Sequence, residues 1–317
     1  MRPLLALGLA CLLAPPRPAS AAEWDRPGWR LTFHDEFDGS TVDTAQWVKR
    51  YKWGEAPVNG ELQAYVDDAF EVRDGVLSIV GERRSASYAG QTFDYASGVL
   101  CSRLEQKYGY FEARLKVPAG QGLWPAFWLL GKTGSPGVSE IDVQEILGSE
   151  PSRANLSVHW GTDYGTGHRQ DATSWLGPDF SADFHVFGLE WSQDALVWTI
   201  DGVERKRHTG PGVPQVPMYV ILNLAIGGNW PGPPDDTTPF PARYQVDYVR
   251  VYARPSDGAS HAGCGGGQVG PPSLLGALAA LAPLSARRRS PPPTGQRSAA
   301  GRVADSRRSA PAPAAPP

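Results

Sequence analysis

Between residues 24 and 253 the chain never sustains a helical pattern, with no amphipathic stretch on the helical period longer than about ten residues. It offers instead a succession of short β-favouring runs divided by Gly, Pro, Asn and Asp. Val76-Leu77-Ser78-Ile79-Val80 and Ala195-Leu196-Val197-Trp198-Thr199-Ile200 are two of them. In Tyr110-Phe111-Glu112-Ala113-Arg114-Leu115-Lys116-Val117 apolar and charged residues alternate, as expected of a strand with one face buried. Asp201-Gly202 follows Ile200 and precedes Val203-Glu204-Arg205-Lys206, which predicts a two-residue hairpin because both turn positions accept positive φ. The body is therefore expected to be all-β, a sandwich of antiparallel sheets.

Composition agrees. Among 317 residues there are 36 Gly, 30 Pro and 11 Trp but only 2 Met, which suits a turn-rich domain with an aromatic binding surface and argues against a helical bundle. The formal net charge of −3 is unevenly placed. Residues 257–317 hold seven Arg against Asp257 and Asp305, and Arg2 and Arg17 lie at the front, so residues 22–256 are distinctly acidic. An acidic body excludes nucleic acid and polyanionic substrates and suits a neutral polymer.

Residues 1–21 have the three parts of a secretory signal: Arg2, an apolar core from Leu4 to Leu13, and the small-residue site Ala19-Ser20-Ala21. A secreted monomer is expected, its functional domain spanning 22–256. Beyond the signal only Cys101 and Cys264 remain, so a hydrophobic core rather than a disulfide framework must hold the domain together. The tail, 257–317, contains Gly263-Cys264-Gly265, an apolar run from Ser273 to Leu284 and Arg287-Arg288-Arg289. It resembles the C-terminal sorting tails of some bacterial surface proteins, which implies cell-surface attachment. The alternative is a Pro/Ala/Arg-rich tail with no sorting role.

The chemistry is concentrated in Ser139-Glu140-Ile141-Asp142-Val143-Gln144-Glu145-Ile146-Leu147, three acids within a β-favouring run. In a regular strand Glu140 and Asp142 share one face and Glu145 points to the other. A single β-bulge between Asp142 and Glu145 reverses the following parity and puts all three carboxyls on one face. Two glutamates leaning together there could reach the ~5–5.5 Å separation of a retaining glycosidase pair. One would be ionised to attack the anomeric carbon and the other protonated to release the leaving oxygen, with the Asp between them. The competing reading is a solvated edge strand. The apolar run Gly122-Leu123-Trp124-Pro125-Ala126-Phe127-Trp128-Leu129-Leu130 just before it speaks against that.

With these residues the chain resembles glycoside hydrolase family 16, in its laminarinase (endo-β-1,3-glucanase) branch. The Glu-Ile-Asp-x-x-Glu motif stands at Glu140, Asp142 and Glu145 in its bulged form, preceded by the aromatic strand 122–128. Asn223-Leu224-Ala225-Ile226-Gly227-Gly228-Asn229-Trp230 and Val246-Asp247-Tyr248-Val249-Arg250-Val251-Tyr252 match later segments. Asp35-Glu36-Phe37-Asp38-Gly39 and Asn59-Gly60-Glu61-Leu62-Gln63 match earlier ones. The resemblance covers about 30–253 and implies a β-jelly-roll sandwich with a concave cleft, cutting β-1,3 bonds in laminarin-like β-glucan, with mixed-linkage β-1,3-1,4-glucan as a further substrate. A transglycosylase, or a non-catalytic glucan-binding protein on the same fold, are the alternatives.

By the same resemblance Glu140 is the nucleophile, Asp142 its assistant and Glu145 the acid/base. Trp124 and Trp128 fall beside the cleft, where flat rings stack on sugar C–H faces, although core packing explains many of the eleven Trp equally well. His159 is expected near the acid/base, there to bind a sugar hydroxyl or tune Glu145. Asn229, Trp230, Asn59 and Glu61 are expected on loops lining the cleft. No cofactor is implied for catalysis, but Glu36, Gly75 and Asp247 match a structural Ca²⁺ site on the convex side. Two departures from the family, Val99 where Arg is usual and Gln144 where Met is usual, are expected to alter subsite contacts.

Overall fold

A computed structural model describes residues 24, 26–54, 58–132 and 134–255. The expected signal segment, 1–21, and the tail, 257–317, lie outside the described residues. Among the described residues there are nineteen strands and no α-helix. The chain runs through β1 (Arg30–Asp35), β2 (Trp47–Val48), β3 (Gln63–Tyr65), β4 (Phe70–Arg73), β5 (Val76–Gly81), β6 (Ala86–Tyr88) and β7 (Gln91–Phe93). Next come β8 (Tyr95–Ser97), β9 (Val99–Ser102), β10 (Gly109–Lys116), β11 (Leu123–Gly131), β12 (Val138–Glu145) and β13 (Arg153–Gly161). The remainder are β14 (His168–Leu176), β15 (His185–Trp191), β16 (Ala195–Ile200), β17 (Val203–Thr209), β18 (Met218–Ile226) and β19 (Ala242–Ala253).

Two large antiparallel sheets face each other. One has the order β17-β16-β15-β10-β19-β5-β4, with β1 pairing the end of β19 beyond β5. The other has the order β14-β13-β12-β11-β18-β9-β2. This is the β-jelly-roll sandwich expected from the sequence. The Asp201-Gly202 hairpin forms as the dipeptide predicts, with φ of 52° and 75° at its two turn residues and Ile200 paired to Val203.

The core lies between the sheets and is built from alternate residues of each strand. Phe127 and Leu129 of β11, Ile141 of β12, Val158 of β13 and Val220 and Leu222 of β18 meet Phe111, Phe187, Leu189, Trp198 and Val249 from the facing sheet. Each such side chain contributes about 1.5–3 kcal/mol relative to exposure. A one-residue slip of β11 or β12 would turn this set to water, so the core fixes the register that also orients the cleft residues.

The register places the bulge where the acids require it. Asp142 pairs Ser157 and Glu145 pairs Asn155 on β13, while Trp128 pairs Asp142 and Phe127 pairs Gln144 on β11. Both ladders therefore carry one extra residue on β12. Val143 and Gln144 both turn into the sandwich, fully buried or nearly so, and Glu145 returns to the side of Asp142. Groups exposed by the irregular ladder find partners across the core. Trp198 Nε1 donates to the Asp142 carbonyl at 2.8 Å. Gln144 Nε2 donates to the Pro125 carbonyl at 3.1 Å, and the Tyr244 hydroxyl donates to Gln144 Oε1 at 2.8 Å.

Two expectations are corrected by this packing. Gln144 makes no cleft contact, because the bulge turns it inward as a hydrogen-bonded tie between the sheets. The first half of strand β10 is buried on both faces rather than one, since the N-terminal segment covers Tyr110 and Glu112 on its outer side. Arg26 lies over the Tyr110 ring at 3.5 Å and reaches Glu112 Oε2 at 3.5 Å.

Candidate active site

The face of the second sheet opposite the core carries the expected acids. On β12, Glu140, Asp142 and Glu145 project to one side, and carboxylate oxygens of Glu140 and Asp142 and a ring nitrogen of His159 lie within 4.8 Å of one another. Asp142 is almost fully buried and accepts hydrogen bonds from Ser157 Oγ and, at 3.0 Å, from His159 Nε2. Trp124 Nε1, from neighbouring β11, donates to Glu145 Oε1 at 3.1 Å.

Electrostatics separate the roles of these groups. Burial first, and then the charges of Asp142 and Glu140, hold the Glu145 carboxyl well above the ordinary range, which favours its protonated form. Burial, followed by the Asp142 charge, raises Glu140 to about 7, while His159 and the Tyr164 hydroxyl pull it down. Burial opposes a charged His159. The hydrogen bond and charge of Asp142, with help from Glu140 and Glu145, overcome it and raise the imidazole to about 9.

His159 therefore carries both ring protons. One goes to Asp142, and Nδ1 donates the other to His168 Nε2 at 2.9 Å, which leaves His168 neutral. The two rings stack 5.1 Å apart and nearly parallel, and burial followed by the His159 charge lowers the His168 pKa in keeping with that neutrality. His159 was expected to bind sugar or tune Glu145; its hydrogen bond goes to Asp142, and its charge draws down both Glu140 and Glu145.

The flanking loops lie where the sequence places them. The backbone N–H of Asn229 donates to the Asn59 carbonyl at 2.7 Å, and the Leu62 N–H donates to the Ile226 carbonyl at 2.8 Å, knitting the two loops together. Gly60, at φ 70°, could bear no side chain without meeting Asn229 Oδ1 at 2.9 Å. Trp230 is exposed and packs edge-on to Trp124 at 5.3 Å, forming an aromatic corner beside Glu145.

Glu61 is buried instead of lining the cleft with a free carboxylate. It accepts from Gln63 Nε2 at 2.8 Å, from the Tyr65 hydroxyl at 3.3 Å and from Asn59 Nδ2 at 3.5 Å, and burial raises it to about 7. Tyr65 also accepts from Asn223 Nδ2 at 3.1 Å, and Asn223 Oδ1 accepts from Trp128 Nε1 at 2.8 Å. A polar line thus runs from the Glu61 loop to Trp128, whose ring lies 6.4 Å from Trp53. Val99 is fully buried beneath this aromatic layer with Tyr51, Tyr65 and Tyr219, so its departure from the family does not meet the cleft directly.

Sequence reasoning did not single out Ser157, His168, Tyr164, Tyr65, Asn223 or Trp53. Ser157 stands two residues before His159 on the same strand face, a signal that was available. His168 and Tyr164 were hidden because only the β13–β14 pairing brings them back over the acids.

The residues expected to hold calcium do not fit an ion bound through their carboxylates. Arg250 grips both oxygens of Glu36, at 2.9 and 2.7 Å, and Arg114 binds Asp247 Oδ2 at 2.7 Å. Gly75, at φ 73°, was expected to offer its backbone carbonyl, and lies beside the Glu36 carbonyl and Asp38. Each acid already has a guanidinium counter-charge, and a cation would have to displace it. Dialysis against EGTA is accordingly expected to leave the melting temperature and activity unchanged; a fall of several degrees restored by added Ca²⁺ would reverse this conclusion.

Comparison with known proteins identifies the family. The profile of "Glycosyl hydrolases family 16" matches residues 63–250. The chain is 36% identical over 256 residues to endo-1,3-1,4-beta-glycanase EglC of Rhizobium meliloti, a match covering 74% of this chain and 54% of the relative. It is 34% identical to a beta-glucanase of Rhodothermus marinus, covering 71% of this chain and 86% of the relative. Among solved structures it resembles the endo-beta-1,3-glucanase from Pyrococcus furiosus with a TM-score of 0.63 and 39% identity, covering 71% of this chain and 94% of that one. The chain spans about half or less of the length of several curated relatives that it matches.

Proposed function

The chain belongs to glycosyl hydrolase family 16, and from that membership we propose that it is a retaining endo-glycosidase cutting β-1,3-glucosidic bonds in laminarin-like glucans. The observation carrying this reading is the bulge in β12, which gathers three carboxyls on one face and surrounds the two glutamates with different environments. Glu145, protonated, gives its proton to the leaving glycosidic oxygen while an oxygen of Glu140 attacks the anomeric carbon. A glycosyl ester on Glu140 results. Glu145, now a base, takes a proton from the water that attacks this ester, and the product keeps the β configuration.

Asp142 keeps the glutamates apart in charge and is itself neutralised by the His159 imidazolium. Trp124 holds Glu145 by its N–H, and with Trp230 offers ring faces for sugar C–H groups on that side of the acids. Trp128, Asn59 and the Asn229–Trp230 loop supply contacts along the cleft, with Glu61 buried behind them as a support. The acidic body supports a neutral glucan substrate. Mixed-linkage β-1,3-1,4-glucan belongs to the same proposal, since relatives are named for both activities. Residues 1–21 support secretion, the tail supports cell-surface attachment, and the protein is proposed to act as a monomer.

The test is reducing-sugar release by the full chain from laminarin and from mixed-linkage glucan, with the anomer of the first product read by NMR. Release of β-anomeric oligosaccharides is expected. Binding without release would favour a glucan-binding protein, and products longer than the substrate would favour a transglycosylase.

A further inference from the structure

Tyr164 lies in the turn at residues 162–167 between β13 and β14, and it is 61% exposed. Its hydroxyl nevertheless donates to Glu140 Oε2 at 2.5 Å. Holding an exposed side chain in one place costs rotamer entropy, so the contact needs support. Two features supply it. Asp163 accepts from the backbone N–H of Gly165 at 2.7 Å and of Gly167 at 3.2 Å, and from Thr162 Oγ1 at 2.9 Å, closing the turn on itself. The Tyr164 ring then meets the His168 ring at 6.0 Å, and His168 stacks on His159. Three rings in succession thus lead from Asp142 to the hydroxyl above Glu140.

We propose that Tyr164 is a catalytic residue, whose hydroxyl keeps the attacking carboxylate of Glu140 ionised and oriented and receives its charge again when the glycosyl ester breaks. This rests on the assignment of Glu140 as nucleophile. With Oε2 held by the phenol, Oε1 is the oxygen left to attack. Burial and the Asp142 charge both work against an ionised Glu140, and a neutral donor favours the charged form without adding charge of its own. Burial and the Glu140 charge push the phenol's pKa up, so it remains a donor throughout the working range.

In the first step an electron pair of Oε1 forms the bond to the anomeric carbon, the glycosidic C–O bond breaks, and the leaving oxygen takes the Glu145 proton. In the second, water attacks that carbon, Glu145 takes a water proton, and the electrons of the C–Oε1 bond return to the carboxylate. Negative charge grows on Glu140 during this second step, where a donor already in place at Oε2 stabilises the transition state.

The experiment compares the full-length wild type, Tyr164→Phe and Glu140→Gln in kcat/KM on laminari-oligosaccharides across the pH range. A 2,4-dinitrophenyl β-glycoside serves to make the second step rate-limiting. For Tyr164→Phe the acid limb of kcat/KM is expected to move to higher pH, with a loss on the order of tenfold at about pH 5, while the alkaline limb stays in place. On the activated glycoside kcat should fall by a similar factor and KM with it, because the ester accumulates. A Tyr164→Phe profile superimposed on wild type, with Glu140→Gln inactive, overturns the proposal and leaves the ring as a sugar platform at most. An active Glu140→Gln enzyme would instead overturn the nucleophile assignment, and the Tyr164 proposal with it.

Discussion

Glu140→Gln is expected to lower kcat on laminarin on the order of a thousandfold or more while leaving oligosaccharide binding close to wild type. The amide is nearly isosteric, so the bulge and the ring stack over it should survive, and what disappears is the charge that attacks. Glu145→Gln should lose a comparable amount on laminarin, because the sugar leaving group needs a proton. The two variants part company on a 2,4-dinitrophenyl glycoside, whose leaving group needs none. There Glu145→Gln should still form the glycosyl ester rapidly, and Glu140→Gln should not.

Their pH profiles should differ as well. In the wild type activity is lost at low pH as Glu140, raised to about 7, takes up a proton, and at high pH as Glu145, itself pushed up by burial and its acidic neighbours, gives one up. Glu145→Gln should flatten the alkaline limb on the activated substrate. Equal losses for both variants on that substrate would sink the assignment of separate roles.

The second large effect concerns stability. Trp198→Ala is expected to cost about 3–5 kcal/mol in denaturant unfolding, enough to take a large share of a typical domain's margin. The indole is fully buried between the sheets, and its N–H is the partner of the Asp142 carbonyl at the bulge. Trp198→Phe separates the two contributions: it keeps most of the ring and should cost about 1–3 kcal/mol for the unpaired carbonyl, with a fall in kcat as the acids lose their fixed spacing. A Trp198→Phe protein as stable and active as wild type would show that the bulge needs no tie to the opposite sheet.

How far the sequence reaches differs from element to element. The parity argument for Glu140, Asp142 and Glu145 could be made from residue spacing alone, since side chains alternate along a strand and one inserted residue reverses them. Asp201-Gly202 was equally legible, because few dipeptides accept two positive φ values. Trp124 was placed beside the cleft by the family resemblance, and Trp230 by its position in a Gly/Pro loop. The contact of Trp124 with Glu145 follows from the pairing of Ala126 with Glu145.

Other features depend on which strands lie together. Gln144 drew notice as a departure from the family's usual Met and was expected to alter subsite contacts; its neighbours, Pro125 and Tyr244, come from β11 and from the facing sheet. Alternation along β10 puts Glu112 on the outer face, where Arg26 from the N-terminal segment covers it. The carboxylates of Glu36 and Asp247 suited calcium in composition, but arginines 214 and 133 residues away in sequence occupy them.

Local alternation and turn chemistry in the sequence alone therefore determined an all-β chain, the parity of its three acids and the need for one bulge. The tertiary structure alone decided which charges and hydroxyls surround those acids: His159 paired to Asp142, His168 behind it, and Tyr164 over Glu140. The physical reason is that periodicity acts within a strand, whereas pKa and hydrogen bonding depend on the few ångströms around a group. Those neighbours are supplied by strand pairing and sheet packing between residues distant in the chain.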